Sequence, residues 1–320
     1  MYDVVTLGET MLRLTPPNLE RLERSDTLVI EVGGSESNVS VGLSRLGLKV
    51  AWLSRLANNA LGHKITSVLR GHGIDTQDVC WSDSDRLGIY YLEEGRPPRQ
   101  SSVVYDRKDS AMSRMQAADL PEEIFSQTRL FHTSGITLAI SDSARETAQK
   151  AFRLAKEGGV KLSFDVNYRA KLASPTEAKA QCHPFMSEAD VIFIAMRDAK
   201  ALFGLSGEPE NILEALHKAY PQAIITMTMS SEGSLGINAE GQAFRQGIFQ
   251  AEAVGRIGGG DAYAAGFLYS YLTKPGELAE HLRFAAAAAA HKYSTPGDMP
   301  LYRLEEIRTI LNSQSSEVSR

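Results

Sequence analysis

The chain has 320 residues, 43% hydrophobic and 23% charged, the balance of a globular protein with room for a large core. A formal net charge of -5 and a pI near 5.9 set nucleic acid aside as a main partner, because phosphate backbones select clustered lysine and arginine. No run approaches the roughly 18 consecutive apolar residues of a membrane span. Met1-Tyr2-Asp3 carries an acid and no basic segment before the first apolar run, so no signal peptide is expected. Cys80 and Cys182 have neither metal-type nor disulfide-framework spacing, and a reducing cytoplasm is the simplest reading.

In chain order, Val4 to Leu7 reads as a buried first strand ending at Gly8-Glu9. Gly33-Gly34 then opens a helical pattern with Val39, Leu43 and Leu46, and Gly47 stands where a helix end wants a positive φ. Val50 to Leu53 is the next strand, and Leu61 to Leu69 a helix closed by Gly71 or Gly73. Strand, helix and strand at this spacing predict parallel βαβ units. Residues 10–34 and 86–110 break the rhythm. Leu12, Leu14, Leu28, Ile30 and Val32 alternate with polar residues, as do Leu87, Ile89, Tyr91, Val103 and Tyr105. Both read as antiparallel strands outside the main sheet, a small β lid on one edge.

From residue 129 the βα pattern returns. Strands are predicted at Leu130–His132, Val160–Phe164, Val191–Ile194 and Ala223–Met227, with a helix over 141–157 and another ending at Gly204. Helices around 261–273, 277–294 and 303–312 close the pattern, and the polar tail from Ser313 is expected to fray. The run Ala285 to Ala290 reads as a close-packed helix face. The whole chain, 1–320, fits one α/β domain with a mainly parallel central sheet, helices on both faces and the lid.

The chemistry concentrates in Arg256-Ile257-Gly258-Gly259-Gly260-Asp261. Three glycines let successive N–H groups converge, and Tyr263, Ala264, Phe267 and Tyr271 follow at helical spacing. The turn is therefore a helix N-terminus, where unpaired donors and the dipole favour anions such as a phosphoryl group in transit. Asp261 then has two readings. It is a helix N-cap worth about 1 kcal/mol, or a base that takes the proton of an attacking alcohol. A Walker A loop is excluded, since no Gly-Lys-Ser/Thr follows.

Gly33-Gly34 with Asn38 early and Gly258-Gly259-Gly260-Asp261 late resemble the two signatures of the ribokinase-like (PfkB) carbohydrate kinases. Ser35-Glu36-Ser37, Tyr90, Tyr105-Asp106-Arg107 with Ser110-Ala111, Ser134 to Thr137, Asp165-Val166-Asn167-Tyr168-Arg169 and Lys292 to Asp298 narrow the likeness to 2-keto-3-deoxygluconate kinases (2-dehydro-3-deoxygluconokinases). The resemblance covers residues 3–311. It implies a ribokinase-like three-layer fold and a kinase that uses ATP and Mg2+ to phosphorylate the terminal C6 hydroxyl of 2-keto-3-deoxygluconate or a related acid sugar.

In that resemblance Asp261 is the base, and Gly258, Gly259 and Gly260 hold developing charge. Gly34, Ser35, Asn38, Tyr90, Tyr105, Arg107, Arg169 and Asp298 bind the sugar. Asn167, Arg169, Thr228, Ser230 and Gly233, with Gly258 and Gly260, face the nucleotide, and Asp198 is an outer-shell magnesium partner. From the residues alone, Ser35 and Asn38 also suit a turn and N-cap, Tyr90, Tyr105 and Arg107 an ordinary strand, and Arg169 a surface ion pair. Arg169's planar fork suits a carboxylate, and with Asn167 it follows a strand's carboxyl end, where open α/β sheets place ligands.

The sequence also departs from the family. Gly255 stands where an Asp near a monovalent-cation site is usual, which puts potassium activation in doubt. Ser230 replaces a Gly, and Ala195-Met196-Arg197-Asp198 replaces an Asn-x-x-Glu motif. The alternatives are a related kinase for another sugar or a nucleoside, and a catalytically weakened sugar-acid-binding protein. The exposed lid offers a dimer interface, so a homo-oligomer is expected.

Overall fold

The computed structural model describes residues 1–313 other than Arg256 and Pro275. Arg256, at the head of the glycine segment, and residues 314–320 of the tail expected to fray lie outside the described residues, while Ser313 ends a helix. The chain runs β1 (Tyr2–Leu7), β2 (Met11–Thr15), β3 (Val29–Gly33), α1 (Ser35–Arg45), β4 (Val50–Leu53), β5 (Arg55–Ala57), α2 (Ala60–Gly71), β6 (Cys80–Ser82), β7 (Ile89–Glu93) and β8 (Ser102–Asp106). Then follow β9 (Thr128–Ser134), α3 (Gly135–Ala139), α4 (Asp142–Glu157), β10 (Lys161–Asp165), α5 (Pro175–Met186), β11 (Val191–Ala195), α6 (Met196–Phe203), α7 (Pro209–Ala219) and β12 (Ile224–Thr228). The hairpin β13 (Ser234–Ile237) and β14 (Ala243–Gln246) leads to α8 (Gly259–Thr273), α9 (Leu278–Tyr293) and α10 (Leu304–Ser313).

Among the described residues the large sheet has the order β14-β13-β12-β11-β10-β9-β1-β4, parallel from β12 to β4 and antiparallel in the hairpin. Its strands are apolar on both faces because both are covered. Along β11, Ile192 and Ile194 join the core with α4, α5, α6 and α7, whereas Val191 and Phe193 join the core with α1, α8 and α9.

The second core is built from small residues. A Cβ on Gly42 of α1 would stand 2.7 Å from Ala265 of α8, and one on Gly266 would stand 2.7 Å from Ala288 of α9. The alanine run is thus a close-packed face, and α1, α8 and α9 approach one another closely.

The lid segments form a separate sheet, β3-β2-β7-β8. One expectation is corrected here. β2 pairs with β7 in parallel, because β2 follows β1 directly out of the large sheet while β7 re-enters from the same side after β6. The register aligns Glu31, Arg13, Tyr90 and Tyr105 in one row and Ile30, Leu14, Tyr91 and Val104 in the next. Alternation sends the two rows to opposite faces. The first row contains the pair Arg13–Glu31 and the neighbouring Tyr90 and Tyr105 rings, tilted by 38° with centroids 6.0 Å apart. Gly73, with φ 81°, is the glycine that closes α2. Gly47 takes φ 100° after α1.

Candidate active site

The carboxyl ends of the parallel strands β1, β9, β10, β11 and β12 share one edge of the large sheet, and side chains from the starts of α1 and α8 are linked to Asn167, just after β10, by hydrogen bonds. Helix α8 begins one turn earlier than an Asp261 cap requires. Its N-cap is Gly258, at φ 79°, so Asp261 is the third helical residue and its side chain is free of capping. That removes the cap reading. A Cβ on Gly258 would overlap the Asp298 carbonyl, and one on Gly259 would meet the Tyr293 ring at 2.6 Å. A Cβ on Gly260 would meet nothing within 4 Å among the described residues. Two of the glycines are therefore required by what lies beneath, and the third opens onto free space. The N–H groups of this first turn have no intrahelical acceptor.

Asp261 is held by two donors from α1. Ser35 Oγ donates to Oδ1 at 2.7 Å and Asn38 Nδ2 to Oδ2 at 2.8 Å. Both residues lie inside α1, whose N-cap is Gly34 without any side-chain cap bond, so the turn-and-cap alternative for Ser35 and Asn38 also falls. A Cβ on Gly34 would overlap the Glu9 carbonyl. Asn167, at φ 39°, donates from Nδ2 to Ser35 Oγ at 2.7 Å. The structure thus joins Asn167 to the base through Ser35, although sequence assigned it to the nucleotide.

Burial raises the Asp261 pKa above the ordinary carboxylate value, opposed by the Asn38 and Ser35 hydrogen bonds and by the Arg169 charge. Asp165, at the end of β10, is pushed up to about 8 by burial and the nearby Asp261 charge, with Arg169 again opposing. Arg169 is the one cation acting on both. Among the described residues it makes no ion pair, and its Nη1 donates only to the Tyr168 carbonyl at 3.2 Å. A surface salt bridge is therefore not its use. Ser102, Tyr105, Arg107, Arg169, Lys171 and Leu172 line a cavity of about 460 Å³ between the lid and the turn after β10.

The remaining lid residues have partners that sequence did not supply. Arg107 pairs with the buried Glu9, which also accepts from Ser110 Oγ. Asp298 is 4% exposed and accepts from both Arg13 and Tyr90 Oη, joining the lid to the segment after α9. Burial and the Asp298 charge raise the Tyr90 pKa. Glu9, Arg13 and Glu36 were missed. Glu36 lies wholly buried under Ser134 and Thr137, with its pKa raised by burial. A polar residue buried just after a strand, as at Gly8-Glu9, was the available signal.

On the other side, Thr228 ends β12, and Ser230 to Gly233 form a tight turn. Ser230 takes φ 56° and Gly233 φ 87°, where a Cβ would overlap the Gln246 carbonyl. Asp198 is buried and bound by Arg197 Nε at 3.1 Å. Ala195 caps α6 with no side-chain bond. Among the described residues no cluster of three His, Cys, Asp or Glu could hold a metal.

A buried carboxylate held by Ser35 and Asn38 on the first turn of a helix, where N–H groups lack intrahelical acceptors, is the equipment of a phosphotransferase with an alcohol as acceptor. The pattern of the pfkB family of carbohydrate kinases matches residues 1–302, and the chain belongs to that family. It is 37% identical over 319 residues to a 2-dehydro-3-deoxygalactonokinase of Haloferax volcanii, covering 99% of both chains. It is 28% identical to a 5-dehydro-2-deoxygluconokinase of Clostridium perfringens, covering 99% of this chain and 94% of that one. The crystal structure of a 2-dehydro-3-deoxygluconokinase from Thermotoga maritima is similar with a TM-score of 0.90 at 33% identity, over 97% of this chain and 98% of that one. The protein is a sugar kinase of ribokinase-like fold.

Proposed function

We propose that the protein transfers the γ-phosphoryl group of ATP to the terminal C6 hydroxyl of 2-keto-3-deoxygluconate or a closely related acid sugar, including its C4 epimer. The observation that carries this is Arg169, an unpaired guanidinium on the wall of the 460 Å³ cavity within electrostatic reach of Asp261. A planar fork with no internal partner suits a substrate carboxylate. Gly34, Ser35, Asn38, Tyr90 and Tyr105 complete the sugar side in this reading. Arg107 is already paired with Glu9, so it orients the wall more than it neutralises the acid. Asp298 contributes by holding Arg13 and Tyr90 in place.

ATP, with magnesium, supplies the phosphoryl group. The residues present fit it. The turn at Gly258–Gly260 is a cradle that side chains would fill, and Thr228, Ser230, Gly233, Asn167 and Arg169 border the approach. Asp261, held by Ser35 and Asn38, accepts the hydroxyl proton as the sugar oxygen bonds to phosphorus and the bond to the ADP oxygen breaks. The N–H donors of the turn stabilise charge on the phosphoryl oxygens. Asp198, tied to Arg197, would keep an outer-shell role at most, and magnesium would be held largely by phosphates and water.

We read residues 1–320 as one kinase domain. Val29, Ile30 and Val104 of the lid are about half exposed, at 49%, 47% and 55%, which supports a homo-oligomer through the lid. Among the described residues no helix is long and apolar enough to cross a membrane, and Cys80 and Cys182 are free thiols, in keeping with a cytoplasmic enzyme.

The test is ADP release across keto-deoxy acids of both C4 configurations, aldonic acids and neutral sugars. A keto-deoxy acid is expected to exceed fructose or ribose by about 100-fold in kcat/KM. Equal turnover of a neutral sugar sinks the carboxylate reading.

A further inference from the structure

A buried charge lies beneath the glycine turn that no step above uses. Lys292, in the last turn of α9, is 0% exposed, and its Nζ donates to the Thr295 carbonyl at 3.1 Å. That same carbonyl stands 3.2 Å from the position of a Cβ on Gly255, and the Gly297 carbonyl 3.9 Å from it. Two carbonyl oxygens therefore approach Gly255, the position where the resembled family usually carries an Asp, and the Lys292 ammonium donates to one of them. The segment 293–298 is also the bed of the turn. Tyr293 lies against Gly259 and the Asp298 carbonyl against Gly258.

A lone ammonium in a protein interior is unfavourable unless oxygens and countercharges surround it. Burial lowers the Lys292 pKa, and the charges of Asp298 and Asp261 oppose that. The carbonyl end of α9 adds a favourable dipole. The site expected for a monovalent cation thus lacks its acidic ligand and holds a side-chain cation at its border.

We propose that the Lys292 ammonium is the resident cation of this kinase, gathering the loop carbonyls beneath the glycine turn and so keeping the turn's N–H donors aimed at the phosphoryl path. Lys292 is a positioning residue. It touches neither sugar nor nucleotide, and its presence makes the enzyme indifferent to potassium.

The experiment compares initial rates and melting temperatures of the full chain in tetramethylammonium, sodium and potassium chloride at one ionic strength. The native protein is expected to vary by less than about two-fold in kcat, with an unchanged melting temperature. Lys292→Ala is expected to lose about 100-fold in kcat while the sugar KM stays within several-fold. Potassium or ammonium should restore at least about five-fold of that loss and raise the variant's melting temperature, with no such effect on the native protein. Gly255→Asp added to Lys292→Ala should deepen the potassium response. Stimulation of the native enzyme about five-fold or more by potassium overturns the proposal, as does a Lys292→Ala variant with undiminished kcat. Should the alanine variant fail to fold, the native salt series decides: a flat profile supports the proposal and a potassium-stimulated one refutes it.

Discussion

Side chains build the half of the site proposed for the sugar, and main-chain turns build the half proposed for the nucleotide. In the half proposed for the sugar, Asp261, Ser35, Asn38 and Asn167 form one hydrogen-bonded set, and Glu9, Arg107 and Ser110 another. Opposite them stand Gly258 to Gly260, the turn at Ser230 to Gly233, and α6, which starts at Ala195 without a side-chain cap. Phosphates can be held by N–H groups that any residue supplies, whereas a particular array of hydroxyls needs particular side chains. That contrast explains how the family's Asn-x-x-Glu and Gly positions could change here while the sugar side stayed whole.

The largest expected effect comes from the base. Asp261→Asn should lower kcat by about 1000-fold and leave sugar affinity within several-fold. Near-normal turnover would make Asp261 an anchor for α1 alone. Because burial raises the Asp261 pKa, and a protonated carboxyl cannot take the hydroxyl proton, kcat/KM should fall with decreasing pH. The limb should lie above the ordinary Asp value of about 3.9. A rate independent of pH down to that value contradicts the assignment.

Next in size, Arg169→Ala should raise the acid-sugar KM about 30-fold and leave the ATP KM alone. A change confined to ATP would move Arg169 to the other half of the cleft. Gly233→Ala tests that half directly. With φ at 87° and the Gln246 carbonyl in the way, it should cost about 2 kcal/mol in stability and raise the ATP KM while sparing sugar binding. The smallest effect belongs to Ser230→Gly, which relieves a side chain held at φ 56° and should add about 1 kcal/mol of stability measured by denaturant unfolding.

Much of this was legible from residue order. Short continuous apolar runs located β1, β4, β9, β10, β11 and β12, and the glycine pair and triplet located the starts of α1 and α8. Helix α5 went unread because Pro184 interrupts it and its buried residues do not repeat on a clean face. The hairpin β13–β14 was unread because its strands have four residues each and lean on β12 for their pairing. The parallel pairing of β2 with β7 could not be seen, since strand pattern records which face is buried and not which neighbour lies alongside. Glu9 and Lys292 escaped for a related reason. Their partners, Arg107 and Ser110 for one and the bed under Gly255 for the other, become neighbours only when the chain has folded.

The glycine and alanine contacts among α1, α8 and α9 bear on the reaction itself. Ser35 and Asn38 ride on one helix and Asp261 on another, so the reach between them is set by how thin the hydrocarbon is where Gly42 meets Ala265. An added methyl group there would act as a wedge, parting proton donor from acceptor without touching either. Residues with no polar chemistry thereby calibrate the machine.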